Sequence, residues 1–245
     1  LLGSIGEASN LIPYLTADSA SHEVADLLYV APLRFNKDLE PECWAAESFS
    51  MEDEGRLLRF RLRKGILWED GTELTAEDVA FTYKLPIDPA TGSPYADDFL
   101  QIKEFRVLDR YSFEVRYERF FARAVSSWMN PILPRHILEG QNIRATPFAR
   151  KPVGAGPYRL RRWEPGVRIV LEAAHQRGGL PHHPGYGHHV HGDPRRAPGR
   201  DGAEPAAVPA PDIGEKVGGV LPQIPLSGLG LQFFGLQSGA SFLQG

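Results

Sequence analysis

Between residues 178 and 211 the chain carries seven glycines and seven prolines, a single leucine, and no isoleucine, phenylalanine or tryptophan. A segment of that composition buries too little apolar surface to offset the entropy of ordering it, so no core is built there. Disorder or loosely packed coil is therefore predicted from about residue 173 to 211, and whatever folds must be written mainly in the residues before it. Further on, Leu229-Gly230-Leu231-Gln232-Phe233-Phe234-Gly235-Leu236 regains apolar character, enough for one short strand amid glycines and serines that oppose it.

Before position 173 the pattern is that of a folding protein. Residues 56–63 alternate, with Leu58, Phe60 and Leu62 on one side and Arg59, Arg61 and Arg63 on the other, which predicts a half-buried strand. After a turn at Glu69-Asp70-Gly71-Thr72, Thr75 followed by Asp78 has the spacing of a capping box and opens a helix through about Lys84. Residues 88–95 are loop by composition. Two strand-like runs, 102–108 and 111–117, flank Asp109-Arg110 and predict a hairpin with Phe105 and Val107 against Phe113, Val115 and Tyr117. An amphipathic helix is expected over 119–128, broken by Pro131 and Pro134. Pro152-Val153-Gly154-Ala155-Gly156-Pro157-Tyr158 predicts a tight entry into a second hairpin, its two glycines adopting angles closed to other residues, with Glu164-Pro165-Gly166 as the turn.

Charge and motifs exclude several functions. A formal net charge of −4, with acids and bases interspersed, offers no footprint for nucleic acid. No apolar run is long enough to cross a bilayer, and Leu1-Leu2-Gly3 is too short for a secretion signal. Cys43 stands alone, which rules out an internal disulfide. There is no Gly-x-Ser-x-Gly elbow and no phosphate-cradling glycine loop. Asp70 and Glu69 sit at a turn, Glu77 and Asp78 in a helix's first turn, and His136 at a helix start, so each has a structural reading ahead of a catalytic one. Six of the eight histidines lie within 175–191, a cluster able to bind nickel, copper or zinc weakly, although its spacing matches no closed zinc site.

Several motifs occur together in one order: Pro13 through Asp18 and Ser21, Leu39-Glu40-Pro41, Ala46-Glu47-Ser48-Phe49, Trp68-Glu69-Asp70-Gly71-Thr72, Leu74-Thr75-Ala76-Glu77-Asp78-Val79, Ile132-Leu133-Pro134-Arg135-His136, and Pro152-Val153-Gly154-Ala155-Gly156-Pro157-Tyr158. Their series resembles the bacterial extracellular solute-binding proteins of family 5, the peptide and nickel receptors of ABC importers, over residues 5–172.

The resemblance implies an α+β, mixed-sheet fragment of a class II periplasmic receptor, with a helix around residues 24–33. It implies residues 1–35 as the first part of lobe I, 36–150 as a smaller domain, 151–172 as the return hairpin to lobe I, and 173–245 as a tail. It further implies a periplasmic or cell-surface monomer, not an enzyme and without cofactor, that captures a peptide or related small solute for permease subunits in the membrane. Ser21, from the Asp-x-x-Ser stretch, and Tyr95, from the Ser-Pro-Tyr loop, are the expected ligand contacts. The competing reading of Ser21 is a helix cap, and that of Tyr95 a loop aromatic covering the small domain.

After Glu172 the family pattern of a further strand and an opposing lobe gives way to Ala173-Ala174-His175 and a Gly, Pro, His and Arg mixture. Such mixtures arise from a shifted reading frame of a GC-rich gene. The expectation is a frameshifted or truncated receptor that binds solute weakly or not at all, because one jaw of the clamp is missing.

Overall fold

The computed structural model describes residues 7–174. The tail, its predicted disorder, the apolar stretch at 229–236 and the histidine cluster at 175–191 lie outside the described residues.

Helix α1 (Ser19–Leu28) starts where Asp18, in extended backbone, accepts the Ser21 amide at 2.7 Å. It stops because Tyr29 turns extended and Pro32 disfavours a helical Ala31. The helix expected around residues 24–33 is thus displaced toward the amino terminus, and Leu33 instead opens strand β1 (Leu33–Phe35), which pairs with β2 (Pro41–Cys43). Asn36 closes the intervening turn, its side-chain oxygen accepting from the amides of Asp38 and Glu40.

The largest sheet is built from β3 (Ala46–Glu52), β4 (Leu57–Leu62), β5 (Ile102–Asp109) and β6 (Ser112–Tyr117), in the order β3-β4-β6-β5. Alternation in β4 does what its sequence predicts: Leu58, Phe60 and Leu62 are buried while Arg59 and Arg61 stay exposed. The hairpin register is also as expected, with Phe105 opposite Val115 and Val107 opposite Phe113. Phe60 and Phe113 stack at 4.8 Å and Phe113 and Phe105 at 5.3 Å, while Trp128 packs against all three. Full burial of each such side chain is worth roughly 1.5–3 kcal/mol. On the other face Arg59 bridges Glu52 and Glu114, and Arg106 bridges Glu104 and Glu114.

Between β4 and β5 runs α2 (Ala76–Ile87), opened by the reciprocal Thr75–Asp78 capping box. It continues past Lys84 through Pro86, because the Asp88 amide closes onto the carbonyls of Lys84 and Leu85. The short α3 (Ala96–Leu100) follows the 88–95 loop and buries Phe99. The amphipathic helix expected over 119–128 does not form: turns lead into a single 3-10 turn, Ser126–Met129. Ser126 and Ser127 bond back to the Arg123 carbonyl, and Trp128 is drawn onto the sheet, donating its indole N–H to the Tyr117 hydroxyl at 3.2 Å.

After α4 (Arg135–Leu138) the chain reaches the second hairpin, β7 (Tyr158–Glu164) with β8 (Arg168–Ala173), turned at Gly166 with φ +70°. Gly154 and Gly156 are required for a different reason than predicted. Neither adopts a left-handed conformation; Gly154 lies against the backbone of Leu28 and Gly156 against that of Leu27 and Leu28, with no room for a Cβ. The Gly156 amide donates to the Leu28 carbonyl at 2.8 Å, and the Glu69 amide to the Gly154 carbonyl at 2.9 Å. The fold is α+β, and every strand pair among the described residues is antiparallel, so the parallel pairs of a mixed sheet are not among them. One apolar core runs from Ala8 to Ala155.

Candidate functional site

Both expected ligand contacts meet at the amino-terminal end of α1. Asp18 collects hydrogen bonds from the hydroxyls of Thr16, Ser9 (2.7 Å) and Ser21 (2.8 Å), besides the Ser21 amide. Burial pushes the Asp18 carboxyl up, but these donors outweigh it and hold the group well below the usual carboxylate range. Ser21 is fully buried, and its oxygen also accepts from the amides of Ser9 and Asn10. Its donor and its lone pairs are therefore committed within the protein, inside the first turn of a helix that Asp18, not Ser21, caps.

Tyr95 lies one step away, joined to the same network through Thr16. Its hydroxyl sits 2.7 Å from His22 Nε2 and 3.4 Å from the Thr16 carbonyl, to which His22 Nε2 is also close at 3.0 Å. The Tyr95 ring stands nearly perpendicular to His22 (centroids 5.7 Å apart) and to Tyr14 (6.4 Å). Tyr14 is itself buried and tied to the Pro131 carbonyl at 2.8 Å. Tyr95 remains half-buried, its phenol pushed up by burial and by the nearby carboxylates of Asp18 and Asp26. The loop before it is fastened from below: Arg144 donates to the carbonyl of buried Thr91 at 2.9 Å and lies against Gly92, whose φ is +59°.

Sequence reasoning named Ser21 and Tyr95 but missed His22, Thr16 and Arg144 as their partners. His22 follows Ser21 directly, yet nothing in the pattern shows a contact 73 residues away.

The carboxylates near the 68–72 turn are occupied structurally. Asp70 meets His136 Nε2 at 2.6 Å and accepts the Thr72 amide; Glu77 pairs with Arg135, and Asp78 belongs to the capping box. Burial pushes the Asp70 carboxyl up, but the bonds from His136 and Thr72 prevail and lower it. Among the described residues no group of three or more His, Cys, Asp or Glu side chains is placed to hold a metal ion. No described helix is long and apolar enough to cross a membrane.

This architecture is that of an extracellular solute-binding protein. The chain belongs to the bacterial extracellular solute-binding proteins of family 5: the model described as family 5 Middle matches residues 40–185, so the likeness extends past position 172. The oligopeptide-binding protein AppA of Bacillus subtilis is 31% identical over 181 residues, covering 71% of this chain and 33% of the relative. The glutathione-binding protein GsiB of Escherichia coli K12 is 25% identical over 175 residues, covering 71% and 34%. The solved structure of Bacillus subtilis AppA in complex with a nonapeptide superposes with a TM-score of 0.65 at 29% identity, over 70% of this chain and 35% of that one. The chain thus spans about a third of the length of the curated relatives it matches.

Proposed function

We propose that this chain is part of the capture protein of an ABC importer, acting outside the cytoplasm and delivering peptides or related small solutes to membrane permease subunits. The observation that carries the reading is the family match over residues 40–185, supported by the superposition on a peptide-bound relative. Residues 1–35 and 151–172 act as parts of lobe I, and 36–150 as the smaller domain. The bond from Gly156 to Leu28 suits that division, because it fastens the outgoing and returning chain at one seam. Tyr95 faces the solute, whereas Ser21 supports it from behind by fixing the end of α1. Such receptors hold extended peptides largely through backbone groups and gain affinity by closing water out.

A hybrid tests the reading: residues 7–172 replace the aligned segment of Bacillus subtilis AppA, and calorimetry measures binding of the nonapeptide. The expected result is retained binding by the hybrid. A hybrid that melts cooperatively yet binds no peptide overturns the assignment.

A further inference from the structure

No further inference is drawn: the strongest candidate, the incompletely covered apolar face of the hairpin β7–β8, where the cross-strand pairs Leu160–Leu171 and Trp163–Ile169 stay half-buried, carries nothing because nothing in the structure shows what covers it.

Discussion

The carbonyl oxygen of Leu28 occupies the space a methyl group on Gly154 would need, 1.9 Å from the position of its Cβ. The obstacle is backbone at the end of α1, which cannot rotate away as a side chain would. Gly154→Ala is therefore expected to destabilise the protein by about 3 kcal/mol or more, the upper range of overpacking. Gly166→Ala, at φ +70° with open space around it, costs only about 1 kcal/mol of backbone strain. Urea denaturation of the two variants separates them, and equal midpoints would show that the seam gives way.

Asp18 sets a pH dependence whose sign follows from its donors. Its folded carboxyl lies below the unfolded value, so its stabilisation is complete above the ordinary carboxylate pKa of about 4 and is lost as pH falls below it. Asp18→Asn keeps a cap but gives up the charge toward which Ser9, Thr16 and Ser21 point, at a cost of about 1 kcal/mol at neutral pH. Stability of parent and variant, measured between pH 7 and pH 2, should converge toward the acid end. A constant gap across that range would assign the effect to shape and not to charge.

Thr82 offers a third measurement. Its buried hydroxyl donates to the Asp78 carbonyl at 2.7 Å and accepts the Leu133 amide at 2.9 Å, joining α2 to the chain before α4. Thr82→Val preserves shape but strands the Leu133 N–H in the core, and a loss of about 1–3 kcal/mol is expected. Thr82→Ser, which keeps the hydroxyl, should cost less. Thermal denaturation with Val milder than Ser would contradict the role given to this bond.

Local order was written plainly in the sequence. The alternation of Leu58, Phe60 and Leu62 with arginines, the Thr75–Asp78 box and the hairpin turn each depend on neighbours a few residues apart; the first two appear where expected and the turn one residue later, at Arg110-Tyr111. Failures arise where distant partners decide. Trp128 abandons a helical pattern to reach Phe60 and Phe113. Gly154 and Gly156 look like turn glycines, yet it is Leu28, far away in sequence, that excludes a side chain there. The site was legible only as two isolated residues: Tyr95 carries no local mark of His22, and the Arg144 bond to Thr91 spans 53 positions.

The bond between Gly156 and Leu28 joins positions separated by nearly 130 residues. During synthesis α1 leaves the ribosome long before the segment that seals its end, and closing so long a loop is entropically slow. The amino-terminal helix must wait, uncovered, for most of the described chain to be made. That interval is when a holding chaperone would find its clearest target.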